Sequence, residues 1–379
     1  MTDHGPAIVK RFTIQGPHPR GHILLCFVAD VVTLPEDDPR LAMHSILWEA
    51  RALALMLLEF GFDLDVLDIR KGEVPADHPP YKAIISLHND LYRHKARLEP
   101  ATIKIALLTG SSPDFQMRRE DQRIAALRKR RTGAYAPKRR VPFVDQELFS
   151  YHLADHCLLI GNQTTLSTYP ESLRGKMTLV EPTISWPLYA KPAQEFVPDG
   201  REFLWLGNIG AVLKGLDLVL EIFGRHPEWT LNIVGTPGDE ADFVALYRHE
   251  LFECPNIRLH GLQQLAAPEM QEIARRCFAF VSPAASEGMS TSAAACLAMG
   301  LYPIISKECG IDLPMGLGTI LESCAIDEIE DAVALAQALP HAELAAQISA
   351  LQTMALRRFS RAAFLESRRR HLGSWLGVL

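Results

Sequence analysis

Read for the spacing of its apolar positions, the chain runs through the same alternation twice. Short, nearly continuous apolar runs lie at residues 22–27, 63–68, 83–87, 103–109, 157–161 and 177–181, and again at 203–207, 231–235, 257–261, 278–282, 303–306 and 319–321. Such runs lack the strict alternation of a sheet with one wet face and match strands covered on both faces. Longer stretches with helical spacing lie between many of them. The clearest begins at Ser45: Ile46, Glu49 and Ala50 open a face that Leu53, Leu57 and Leu58 continue, and Gly61 supplies the stop. Strand–helix alternation run twice predicts an α/β protein of two Rossmann-like, doubly wound parallel-sheet domains facing a cleft.

The join is expected in residues 185–200, SWPLYAKPAQEFVPDG, where Pro187, Pro192 and Pro198 interrupt regular structure. The resulting division is an N-terminal domain over residues 1–190, a C-terminal domain over 191–358, and a last helix over 359–379 that packs back toward the N-terminal domain. Composition agrees with this. A chain of 379 residues exceeds one ordinary core, and 48% hydrophobic against 22% charged residues supply two cores and exclude general disorder. The seven cysteines are scattered without a CxxC pair, and Cys26, Cys157 and Cys277 sit inside apolar runs, the usage of reduced thiols in a cytoplasmic protein. The opening MTDHGPAIVKRF lacks the apolar core of a secretory signal, and no apolar run approaches the ~20 residues that span a bilayer. Contact at the inner face of a membrane is the membrane relation left open.

Net charge is −6, so nucleic acid is not an expected partner. One segment departs from that balance. From Arg118 to Arg140 the chain reads RREDQRIAALRKRRTGAYAPKRR, a basic helix and loop. Three readings fit it: a solvated helix face, a site for an anionic acceptor, or contact with anionic lipid headgroups.

Two segments of the second half carry the candidate chemistry. In FLWLGNIGAVLKGLDLVLEIFG a buried strand ends at Gly207, a loop follows, and Lys214 precedes a helix. Helix starts after parallel strands bind anions, because free N–H groups and the helix dipole point at the ligand, and a lysine adds a full charge for a diphosphate. In FAFVSPAASEGMSTSAAACLAMGLYPIIS a strand ends at Ser282 and Pro283, a polar loop carries Glu287 and Gly288, and a helix of small residues starts near Thr291. The amides of Met289, Ser290, Thr291 and Ser292 are placed to receive phosphate oxygens or sugar hydroxyls. Gly288 permits close backbone approach, and Glu287 can accept from two vicinal hydroxyls.

These two segments resemble the sugar-nucleotide site of retaining GT-B glycosyltransferases of family 4, and IVGTPGD followed by IRLHGLQQL keeps that family's order and spacing. The resemblance is good over residues 200–325 and, before the join, is limited to the order of elements and LADHCLLIGNQTTLSTY. It implies a nucleoside diphosphate sugar held by Gly207, Asn208, Lys214, Gly235, Leu262, Glu287, Gly288, Met289, Ser290, Thr291 and Ser292. The sugar donor is a substrate, and no cofactor is implied. The acceptor is a glycan or lipid-linked sugar, in cell-surface polysaccharide or glycoconjugate synthesis. Two departures stand out. The family's E-x7-E motif has its first glutamate at Glu287, but the second position, which holds the ribose in the family, is Ala295. Restoring a glutamate there is expected to tighten nucleotide binding if the ribose pocket is otherwise intact. The family's phosphate-binding arginine falls at Asn208, while its lysine is kept as Lys214.

No single general base stands out. His88 after AIISL, Asp114 in the loop after ALLTG, and His44 before the first long helix are candidates. In the family the departing diphosphate can itself take the acceptor proton, so retention needs no strong base. HND at residues 88–90 has no second acidic partner at metal-binding spacing, so the reaction is expected to run without a metal, Lys214 and helix amides serving the leaving group. Two alternatives remain: a GT-B binding protein without activity, and a GT-B sugar-nucleotide epimerase. A Rossmann dehydrogenase is disfavoured, since no G-x-G-x-x-G follows the early strands.

Overall fold

All twelve apolar runs become strands. The structure, a computed structural model, describes residues 10–12, 19–69, 71–74, 77–137, 141, 143–198 and 201–378. The first sheet holds β1 (Lys10–Phe12), β2 (His22–Phe27), β3 (Asp63–Asp68), β4 (Tyr81–Leu87), β5 (Ile103–Leu108), β6 (His156–Ile160) and β7 (Met177–Val180), in the order β1-β3-β2-β4-β5-β6-β7. The second holds β8 (Glu202–Gly207), β9 (Leu231–Gly235), β10 (Ile257–Leu259), β11 (Cys277–Ser282), β12 (Tyr302–Ser306) and β13 (Thr319–Leu321), in the order β10-β9-β8-β11-β12-β13. Every pairing is parallel except β1 with β3. The strand β1 was not expected. Its three residues, KRF, are too few and too polar to register as an apolar run, as befits an edge.

Coverage on both faces explains the unbroken apolar runs. Along β2, Ile23, Leu25 and Phe27 enter one core, while Leu24 and Cys26 enter the core on the opposite face. Along β8, Phe203 and Trp205 face one core and Leu204 the other. In each sheet the strand order reverses, between β2 and β4 in the first and between β8 and β11 in the second. Such switch points open a crevice at the carboxyl ends of the strands, where ligands of this architecture bind.

The helices that frame the crevice are α1 (Ser45–Glu59), α2 (Pro113–Arg130), α3 (Val144–Leu153), α4 (Leu216–Arg225), α5 (Thr291–Ala298), α6 (His341–Arg358) and α7 (Arg361–Trp375). Helix α1 starts at Ser45 with His44 as its cap, the imidazole Nδ1 accepting from the Ile46 amide at 3.2 Å, and ends before Gly61 at φ +92°. Helix α6 packs on the second sheet through Leu344, Ile348, Leu351 and Ala355. The chain then crosses back. On α7, Phe364 and Leu372, with Leu376 just beyond, complete the core beside β2, and the Phe364 ring meets Trp48 edge-on at 5.7 Å.

The basic segment is where the sequence misleads. Helix α2 is not a free basic face: it leaves the first sheet and docks on the second. Ile124 and Leu127 are buried in the same cluster as Val219 and Phe223 of α4. Arg130 holds Asp217 at 2.6 Å and Glu221 at 3.0 Å, and Arg131 pairs with Glu250. These acidic partners come from positions roughly a hundred residues away, so much of the positive charge at Arg130 and Arg131 is balanced within the fold, while Arg118, Arg128 and Lys129 stay exposed. The expectation at Lys138, Arg139 and Arg140 lies outside the described residues. Among the described residues, no helix is long and apolar enough to cross a membrane, and all seven cysteines are unpaired.

Candidate active site

The loop after β8 turns through Gly210 and Lys214 into Gly215, whose φ of +75° makes it the left-handed cap of α4. Its shape is set from within the second domain. Glu240 Oε1 accepts from the amides of Gly210 at 2.7 Å and Ala211 at 2.9 Å. A Cβ on Gly215 would lie 2.5 Å from the Pro283 carbonyl, so this loop and the loop after β11 touch. The Lys214 ammonium reaches across that contact and pairs with the Glu287 carboxylate.

The loop after β11 is clasped by the first domain. The Glu287 carbonyl accepts from Ser111, through its amide at 3.1 Å and its hydroxyl at 2.5 Å. The Gly288 carbonyl accepts from the Thr165 hydroxyl at 3.0 Å. A Cβ at Gly288 would lie 2.5 Å from the Ile160 carbonyl and 2.7 Å from that of Thr109. The glycine therefore lets the backbones of the two domains approach closely. Ser290 then caps α5, its hydroxyl accepting from the Ala293 amide at 3.3 Å.

Between the two sheets lies a cavity of about 560 Å³, within the size range of small-molecule sites. The second domain contributes Asn208, Lys214, Glu287, Met289, Ser290, Thr291 and Ser292 to its wall; the first contributes His44 and His88. Ser45, Ile46, Glu49 and Pro182, which the sequence reading passed over, also line it. The first three lie at the start of α1, opposite the start of α5, and their position after the first strand–helix connection of a Rossmann unit was the available signal. Glu49 is fixed by Thr183, whose amide and hydroxyl donate to it at 2.8 and 3.0 Å, and burial pushes its carboxyl above the usual range.

Other expected site residues fall elsewhere. Asp114 is absent from the cavity wall: its carboxylate accepts from Ser112 and pairs with Arg118 at 2.5 Å. Leu262 is 66% exposed and off the wall. Gly207 and Gly235 pack against each other beneath the site, where a Cβ on Gly235 would lie 1.5 Å from the Gly207 carbonyl. Ala295 is 2% exposed inside the apolar cluster around α5, again off the wall.

His88 occupies the opposite wall in a left-handed conformation, φ +59°, with its Nδ1 3.4 Å from Glu147 of α3. It stands between the main cavity and a smaller polar chamber of about 70 Å³ that includes Ser111, Gln116, Tyr151 and Tyr169. The Tyr151 hydroxyl donates to the second oxygen of Glu147 at 3.1 Å. Nothing in the local sequence joined His88 to Glu147, which lies on another element.

Residues 200–350 match the family described as Glycosyl transferases group 1. That segment, less than half of the chain, is similar to the group 1 family. The matched span contains Lys214, Glu287 and the start of α5, so it supplies the whole second-domain wall of the cavity. No curated protein sequence matches the chain. Solved structures match across both domains. Sucrose-phosphate synthase of Thermosynechococcus elongatus superposes with a TM-score of 0.66 at 13% identity, covering 95% of this chain and 100% of that one. HepE of Anabaena, in complex with UDP and glucose, gives 0.59 at 11% identity over 93% and 99%. TarM of S. aureus gives 0.51 at 12% identity over 79% of this chain, which spans only 56% of TarM. At such identities the likeness establishes the fold, a GT-B architecture whose second half contains the matched span.

Proposed function

We propose that the chain is a glycosyltransferase that moves a sugar from a nucleoside diphosphate sugar to a glycan or lipid-linked acceptor. Transfer proceeds with retention, in the synthesis of cell-surface polysaccharide or glycoconjugate. The reading rests above all on Lys214 facing Glu287 beside the N-terminus of α5, at the floor of a cavity between two Rossmann-like units. A cation and helix amides suit a diphosphate, and the adjoining carboxylate suits sugar hydroxyls. HepE, with UDP and glucose bound, lends weight to that ligand class.

In this mechanism Lys214 leaves Glu287 for the diphosphate, and Glu287 turns to the sugar hydroxyls. The bond from the anomeric carbon to the diphosphate oxygen breaks, a bond to the acceptor oxygen forms on the same face, and the acceptor proton passes to the departing diphosphate. His88, on the far wall with Glu147 behind it, holds the acceptor hydroxyl. Lys214 and the amides at the start of α5 meet the charge that grows on the leaving group, so the step runs without a metal ion. Unpaired cysteines favour work in the cytoplasm.

The test is a panel of sugar nucleotides with release of free nucleotide as readout, with and without polyhydroxylated acceptors. Turnover of one or more donors supports transfer. Tight nucleotide binding without turnover instead supports a binding protein without activity.

A further inference from the structure

Helix α2 belongs by sequence to the first domain, between β5 and β6, and packs there on α3, yet it also reaches α4 and the loops of the second. Arg123 donates from Nη2 to the Pro283 carbonyl at 2.8 Å, and Arg119 donates from Nε to the Ala285 carbonyl at 3.3 Å. Those carbonyls stand four and two residues before Glu287. Just past the helix, Tyr135 is buried in the second domain's core, and its hydroxyl donates to Glu240 Oε2 at 2.9 Å. The other oxygen of that carboxylate holds the Gly210 and Ala211 amides, in the loop that carries Lys214. Arg130 anchors the same stretch to Asp217, three residues beyond Lys214 and fully buried. One segment of the first domain thus reaches both halves of the Lys214–Glu287 pair from behind the cavity.

We propose that residues 113–135 are a cross-domain strap whose Arg119, Arg123 and Tyr135 position the two loops bearing Lys214 and Glu287, so that the sugar-nucleotide site is complete only while the domains stay docked. The role of the two loops rests on the function proposed above; the strap itself does not. Guanidinium-to-carbonyl bonds are charge-assisted, and they add to the backbone bonds of the two loops, such as that from the Ala285 amide to the Leu213 carbonyl at 2.8 Å. A strap of this kind also changes the working cycle. Domain opening at this edge would strip the arginines from the loop carbonyls and expose Ile124 and Leu127.

The test uses the full chain and does not depend on knowing the sugar. Amide hydrogen exchange is followed over residues 208–215 and 283–292 in wild type, Arg119→Ala, Arg123→Ala and Arg123→Lys, alongside melting temperature and titration with UDP, ADP and GDP. Spin labels placed on exposed positions of the two sheets report the distance between domains with and without nucleotide. The expected result is exchange at least about tenfold faster in the two loops of Arg123→Ala. Exchange in β2 and β9 stays as in wild type, Arg123→Lys recovers part of the protection, and the interdomain distance does not change on nucleotide addition. Unchanged loop exchange in both alanine variants, acceleration spread evenly over the chain, or a distance change of several ångströms with nucleotide overturns the strap. Selective loop loosening in a protein that binds none of the three nucleotides supports the strap and removes the sugar-nucleotide reading, so the two ideas fail separately.

Discussion

The Lys214–Glu287 pair gives the most discriminating experiment, because the two residues are expected to shift nucleotide affinity in opposite directions. Their side chains are only 14% and 10% exposed, so the pair is largely desolvated, and losing one partner costs the other a charge-assisted contact inside the protein. A bound diphosphate must draw Lys214 away from Glu287. That exchange sacrifices one charge-assisted contact, typically worth about 1.5–3 kcal/mol, before the new one forms. Glu287→Gln keeps the shape and removes the competing charge. It should therefore lower the melting temperature of the free protein yet bind a bare nucleoside diphosphate roughly tenfold or more tightly, since 1.4 kcal/mol is a factor of ten. Sugar transfer should fall in the same variant, because the carboxylate that accepts from the sugar hydroxyls is gone. Lys214→Ala removes the phosphate ligand itself and should weaken nucleotide binding by about ten- to a hundredfold, with a loss in turnover as well, because the diphosphate gains charge as the glycosidic bond breaks. Calorimetric titration of both variants with nucleoside diphosphates, with turnover measured in parallel, reads all of this. Affinities that move in the same direction, or do not move at all, would refute the exchange of Lys214 between carboxylate and diphosphate.

Other consequences follow from packing and titration. Gly288→Ala drives a methyl group into the Ile160 and Thr109 carbonyls and should cost about 1–3 kcal/mol in chemical denaturation, with an altered interdomain distance in scattering; a neutral variant means the domains are not held at this point. Ala295→Glu places a carboxylate inside an apolar cluster, so a lowered melting temperature is expected in place of the simple gain in nucleotide affinity that the family motif suggested. Phe364→Ala, which empties the ring site beside Trp48, should destabilise the first domain by about 3–5 kcal/mol, seen as early loss of exchange protection in β2 while β9 stays protected. Burial, opposed by Arg123 and Arg130, raises Asp217 to about 6 from an ordinary 3.8. The folded state then holds the proton more tightly than the unfolded chain, so stability from this group is fully present below pH ~4 and is lost as pH rises to ~6. Denaturation of wild type and Asp217→Asn should show their difference shrinking by at most roughly 3 kcal/mol over that window, and a difference independent of pH would count against it.

The strands were legible because a parallel sheet covered on both faces needs apolar residues at every position, and no other element asks for that in runs so short. Helix α1 was legible through its spacing and Gly61. What the sequence hid was long-range pairing. The charge of α2 looked like a surface feature because Asp217, Glu221 and Glu250 are far along the chain, and a local window cannot see them. The motif around Glu287 located the cavity's floor, and the close approach that Gly288 permits includes strand ends of the other domain, which only the tertiary fold could show. His88 was found as a polar residue after a strand; Glu147 was not, because only the tertiary fold carries α3 to it.

The crossing of α7 has a consequence for how the protein is made. Phe364 and Leu372 fill the first domain's core, yet they are synthesised about 180 residues after β7, the last strand of that domain's sheet. At ordinary elongation rates of about 5–20 residues per second, the nascent first domain waits some ten to forty seconds with the Trp48 side of its core uncovered. Vectorial synthesis thus delivers the halves out of order: the second sheet can close on its own residues first, and the half that emerges earliest finishes last. An apolar face held open on the ribosome for that long is a natural place for a chaperone to bind, and premature termination anywhere before Phe364 would release a chain whose first domain cannot complete itself.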